Sequence, residues 1–116
     1  MSAEPMAVLV ARRALDGLTM RMAAIAQNIA NANSPRFQSV SVDFEDSLRA
    51  AASRGPAAVA SASFEFRADH AFAPGEDRRM DLMIADAAQT AMRYSALVDM
   101  IGRRLSISQV AAGGQG

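Results

Sequence analysis

The chain has 116 residues, room for a single domain. Twelve basic residues balance twelve acidic ones and there is no cysteine, which argues against capture by nucleic acid or an anionic membrane and excludes disulfides, thiolate metal sites and thiol nucleophiles. Hydrophobic residues make up 51% of the chain but aromatics only 5%, a balance that favours closely packed helices over a bulky core.

The first predicted element is a helix over residues 5–33. Pro5 suits its first turn, where no amide donor is needed. Val8, Ala11, Leu15, Leu18, Met22, Ile25, Ile29 and Ala32 follow alternating three- and four-residue spacing, which puts them on one stripe of a helix, as in a coiled-coil seam. The apolar run between Pro5 and Arg12 has no basic segment before it and no clean cleavage site after it, so no cleaved secretory signal is expected. Arg12, Arg13, Asp16 and Arg21 interrupt the helix well short of the roughly 20 apolar residues that span a bilayer, and no membrane insertion is expected.

Residues 34–80 differ in character, holding Phe37, Phe44, Phe64, Phe66 and Phe72 while neither long helix has a phenylalanine. Val40, Val42 and Phe44 alternate like a short strand, and Asp43 with Asp46 suits the cap of a short helix through Leu48 to Ala52, stopped by Gly55 and Pro56. The run 50–63 is almost all Ala, Ser, Gly, Pro and Val. Such a composition has little to pack, so weak order is expected there, with a small hairpin at Phe64 and Phe66.

The last predicted element is a helix over residues 81–110, with the seam pattern repeated at Ile84, Ala87, Ala91, Tyr94, Val98, Ile101 and Leu105. Asp81 and Asp86 near its start and Arg103 and Arg104 near its end suit the helix dipole, and Gly113 and Gly114 end it. Leu82, Met83, Met92, Leu97, Met100 and Ile107 add a second apolar surface, more than one partner helix covers. The fold class that follows is all-α. Residues 1–116 form one domain, in which two long terminal helices pair as an antiparallel, coiled-coil-like hairpin around a weakly ordered middle segment.

Residues able to carry chemistry are sparse. His70 is the only histidine and has no evident nucleophile or orienting carboxylate as companion. Asp43, Glu45 and Asp46 lack the spacing of a metal loop and read as capping and solvation. No phosphate-binding loop, nucleophile elbow or zinc spacing occurs. Met80, Met83, Met92 and Met100 read as core filling. The expectation is a non-enzymatic chain with no catalytic residue, cofactor, metal or small-molecule substrate.

One segment is distinctive. Asn28-Ile29-Ala30-Asn31-Ala32-Asn33-Ser34-Pro35-Arg36-Phe37 resembles the signature of the flagellar rod and hook axial proteins, whose form is Asn-Ile-Ala-Asn-Ala-Asn-Thr-Pro-Gly-Tyr. Ser34, Arg36 and Phe37 replace Thr, Gly and Tyr. Arg36 matters most, because a type II turn needs positive φ at that position and arginine favours type I. Physically, asparagines suit a fraying helix end, and Ser34-Pro35 forces the chain out of helical geometry. Val42-Asp43-Phe44-Glu45-Asp46 with Leu48, and Ala91-Met92-Arg93-Tyr94-Ser95-Ala96-Leu97, look like segments of the proximal rod branch of that family. The resemblance implies a structural subunit of the periplasmic rod of the flagellar basal body. It further implies export through the flagellar type III apparatus without a cleaved signal, and packing against copies of itself and neighbouring rod proteins to transmit torque. The alternative, which needs only the seams, is a soluble homodimeric adaptor or regulator built as a four-helix bundle from two hairpins.

Overall fold

The computed structural model describes residues 4–69 and 79–113. In chain order it contains α1 (Met6–Ala30), β1 (Ser39–Ser41), α2 (Glu45–Arg54), α3 (Pro56–Ser61), β2 (Arg67–Asp69) and α4 (Arg79–Gly113). The molecule is elongated, 64 × 26 × 16 Å, because it is built on two long helices. At about 1.5 Å per residue, α1 is about 37 Å long and α4 about 52 Å.

Pro5 stands one residue earlier than expected, as the N-cap, where its carbonyl accepts from the amides of Val8 and Leu9. The predicted end at residue 33 is too late. Asn31 caps the helix, with its backbone amide and its side chain both donating to the Gln27 carbonyl, and Ala32 N–H turns tighter, onto Ile29 O. Pro35 therefore does not stop the helix; it sits in a turn closed by Phe37 N–H donating to Ser34 O. Arg36 in that turn has no positive φ, so the turn is not type II, as the arginine dictates. At the other end, α4 outruns its predicted span of residues 81–110 in both directions.

The two long helices pack antiparallel. At one end Ala32 and Phe37 enclose Met83, with Ile29 and Met80 against them. Further along, Leu18, Thr19 and Met22 face Thr90, Ala91, Tyr94 and Ser95. The other face of α1 carries the main core: Leu18 and Ala24 join Val42, Phe44, Leu48, Ala51 and Val59 from the middle segment.

Residues 34–69 of the middle segment are thus folded, and the run 50–63, where weak order is expected from composition, forms the end of α2 and all of α3. Its alanines and valine permit close approach, and Ala51 and Val59 are fully buried against α1. Gly17 admits the Phe44 ring directly onto the backbone of α1. The cap expected from Asp43 and Asp46 is absent; α2 begins after Phe44 with no side-chain cap, and Glu45 and Asp46 occupy its first turn. Gly55, at φ 108°, takes a backbone conformation suited to glycine and separates α2 from α3. The strand expected at Val40, Val42 and Phe44 is limited to β1, which pairs antiparallel with β2 in the register Ser39–Asp69, Val40–Ala68, Ser41–Arg67. Among the described residues no hairpin forms at Phe64 and Phe66; that stretch follows α3 and leads into β2, which pairs with β1.

Three arginines clasp this segment to the long helices by one recipe. Arg13 lies 4.9 Å from the Phe64 ring centre and donates to the carbonyls of Val59 and Ala62 at the end of α3. Arg21 lies 4.7 Å from the Phe44 ring and donates to Val42 O at 2.8 Å. Arg79 lies 4.6 Å from the Phe37 ring and donates to Ala32 O. Guanidinium groups suit this double task, being planar and rich in donors.

Candidate functional site

The seam predicted on α1 faces inward. Val8, Ala11, Leu18, Ile25 and Ala32 are buried, and Leu15, Met22 and Ile29 are half-buried. The seam predicted on α4 divides. Met83 and Thr90 are the buried residues of this helix, and Leu97, seven further on, packs against the main core cluster. Ala87 and Ile101 lie half-buried beside them, while Tyr94, 40% exposed, borders the groove against α1.

The remaining seam positions stand one residue later, about 100° around the helix. There Ile84 is 55%, Val98 47% and Leu105 40% exposed, and Ala91 is exposed as well. These four, spaced every seven residues, form an apolar ladder that no other described element covers. Of the second apolar surface read from the sequence, Met83 and Leu97 turn in, and Leu82, Met92, Met100 and Ile107 turn out. The sequence shows two adjacent apolar frames on α4. Which of them meets α1 depends on the rotation of the helix, which the middle segment helps to fix.

Beside the ladder runs an apolar groove of about 320 Å³ between α1 and α4, lined by Leu18, Thr19, Met22, Thr90, Ala91, Tyr94 and Ser95. No described residue of the middle segment lines it. The α4 helix exceeds α1 by ten residues, 35 against 25, so its C-terminal end, with Ile107 and Val110 at 70% and 74% exposure, is left open.

The Asn28–Pro35 segment is a joint between α1, β1 and α4. Asn28 is buried and bonds β1. Ile29 packs beside Met83, and Ala30 is exposed. Asn31 caps α1, and Ala32 is buried with its carbonyl taken by Arg79. Asn33, Ser34 and Pro35 are exposed, with Ser34 Oγ accepting from Arg36 N–H at 3.4 Å.

The acidic trio Asp43, Glu45 and Asp46 is engaged in ion pairs. Asp46 pairs with Arg49 at 2.9 Å, Asp43 with Arg67 at 3.8 Å, and Glu45 with Arg21 at 2.5 Å and Arg93 at 3.8 Å. Among the described residues no group of three or more His, Cys, Asp or Glu is placed to hold a metal ion, and no helix is long and apolar enough to cross a membrane. His70 lies outside the described residues. Sequence reading missed the three arginine clasps; the signal available was phenylalanine confined to the middle of the chain with arginines on the helices either side. No protein-family model matches the chain, and no curated protein matches it.

Proposed function

We propose that this chain is a structural subunit of the bacterial flagellar basal body rod, similar to the proximal rod protein FlgB, and that it is not an enzyme. The observation that carries the reading is the likeness of Asn28–Phe37 to the axial-protein signature. The geometry supports it from a separate direction. A rod that transmits torque needs stiff subunits with contact surfaces along their length, and here two long helices are cross-braced at one end by the signature segment. An apolar ladder is left on the outer side of α4, where packing against neighbouring subunits would remove it from water.

On this reading the partners are other copies of the chain, neighbouring rod and basal-body proteins, and the flagellar type III export apparatus, which delivers the subunit to the periplasmic rod without cleavage of a signal. No nucleic acid, cofactor or small-molecule substrate takes part. Deleting the gene tests it. The expected result is loss of swimming and of rods in isolated basal bodies, both restored by the intact gene. Swimming cells with complete rods would overturn the proposal.

A further inference from the structure

We infer that α4 is a strap: it leaves α1 as a unit and docks again while α1 and the middle segment stay folded together. The inference is independent of the rod reading, because it follows from where the buried side chains and the hydrogen bonds lie.

The two sides of α1 are packed unequally. One side carries a core whose buried members, from Leu18 to Val59, all belong to α1 and the middle segment. Met6, Leu9, Val10 and Ala14 extend that contact towards the start of α1. The same side is heavily bonded. Arg13 donates to the carbonyls of Val59 and Ala62, Arg21 to that of Val42, and Asn28 exchanges two bonds with Val40. None of these interactions involves α4.

The hold on α4 is slighter. Of its 35 residues, Met83 and Thr90 are the buried ones, and the Thr90 hydroxyl bonds within its own helix, to the Asp86 carbonyl. Among the described elements α4 packs along α1 alone, with Leu97 reaching the main core. An open groove of about 320 Å³ lies between Leu18 and Met22 on one helix and Thr90 and Tyr94 on the other. Side chains that line such a space lack the dispersion contacts of a close-packed seam. Among the described residues the polar ties of α4 to the rest are Arg79, on the Ala32 carbonyl, and Arg93, 54% exposed and 3.8 Å from Glu45.

Cooperative units part where few buried groups cross between them, and here that boundary runs along the α1–α4 seam. Opening it breaks the contacts of Met83, Leu97, Arg79 and Arg93 and leaves the arginine and asparagine bonds of α1 intact. Ala32 and Phe37 pack on Met83, so the turn after α1 loosens with α4. Asn28, four residues earlier, stays bonded to β1.

Native-state amide hydrogen exchange of the dilute full chain, in urea below the unfolding transition, tests the inference. In the wild type the Met83–Ile101 amides should converge on one opening. That opening should depend less steeply on urea than the slowest amides of α1, and exchange through it should be at least about tenfold faster. Two variants separate strap from single unit. Phe44→Leu weakens a contact kept in both the closed and the strap-open forms, so it should quicken the slowest α1 amides about tenfold and leave α4 unchanged. Met83→Ala weakens a contact found only in the closed form, so it should quicken both helices by the same factor. One shared rate and urea slope for α1 and α4 in the wild type would overturn the inference, as would Phe44→Leu quickening both helices equally. An α4 without protection would overturn it too, since a strap must close as well as open.

Discussion

Asn28 and Val40 exchange two hydrogen bonds of 2.8 Å: the side-chain amide of Asn28 donates to the Val40 carbonyl, and the Val40 amide donates to Asn28 Oδ1. Val40 is the middle residue of β1, whose other edge pairs with β2. The asparagine thus acts as a one-residue strand, satisfying backbone groups that would otherwise be left unpaired beside α1. Asn28→Ala should destabilise the fold by about 2–3 kcal/mol, because two bonds are lost and a buried N–H and C=O are left without partners. Asn28→Asp should cost at least as much, since it keeps the acceptor, loses the donor and buries a charge. Urea unfolding would measure both; a change below about 0.5 kcal/mol in Asn28→Ala would show that water replaces the amide freely.

Gly17 sets a second exacting contact. A Cβ there would stand 2.3 Å from Cγ of Phe44, whose ring is held between Arg21 and Phe64, the two ring centres being 5.5 Å apart. Alanine gains about 1 kcal/mol over glycine in a helix interior, but overpacking of a ring that cannot retreat costs about 1–3 kcal/mol. The clash should win. Gly17→Ala is therefore expected to lower the unfolding midpoint, and a raised midpoint would mean that Phe44 moves more easily than its surroundings imply.

Much of the architecture was legible because it depends on local periodicity. The stripe from Val8 to Ile29 follows alternating three- and four-residue spacing and forms the inward face of α1, while Ala32, at its predicted end, is buried in the turn that follows. What could not be read was the rotation of α4, since Met83–Thr90–Leu97 and Ile84–Ala91–Val98 are apolar enough for either to face α1. Thr90 in particular looks like a surface residue, yet it is 3% exposed and its hydroxyl donates to the Asp86 carbonyl one turn back. The middle segment was misread for a related reason. Its alanines suggest nothing to pack when taken alone, and they become useful only against Gly17, Ala24 and the arginines of α1, which are distant in sequence. Asn28 was read as a sign of helix fraying, when its side chain is committed to a strand 12 residues on.

Acid should weaken the junction of α1, α2 and α4. The Arg21 hydrogen bond holds the Glu45 carboxyl below the ordinary glutamate range, against an upward push from partial burial. A pKa lower in the folded than in the unfolded state means stability that is present above the unfolded value, about 4.3, and lost as pH falls through the folded value. Because Glu45 is 44% exposed, solvent screens the pair and the effect should be modest. Wild type should lose more stability than Glu45→Gln between about pH 6 and pH 3. Parallel pH profiles for the two proteins would show that the Arg21–Glu45 pair contributes nothing to folding.

The arginine clasps should be separable from the pairing of the long helices. Arg13 holds α3 by its last carbonyls, those of Val59 and Ala62, while stacking on Phe64. A lysine keeps the charge but cannot reach two carbonyls and cover the ring together. Arg13→Lys should cost about 1–2 kcal/mol, and the loss should be local. Amide hydrogen exchange should quicken in α3 and the end of α2 while the middle of α1 and the Met83–Leu97 stretch of α4 stay protected. This locality matters to the proposed function, because the clasps hold the middle segment on the side of α1 away from the Ile84–Leu105 ladder and leave that surface open. If exchange quickens equally along α1 and α4, the clasps and the helix pair form one cooperative unit; if α3 is unchanged, the arginine does not hold it.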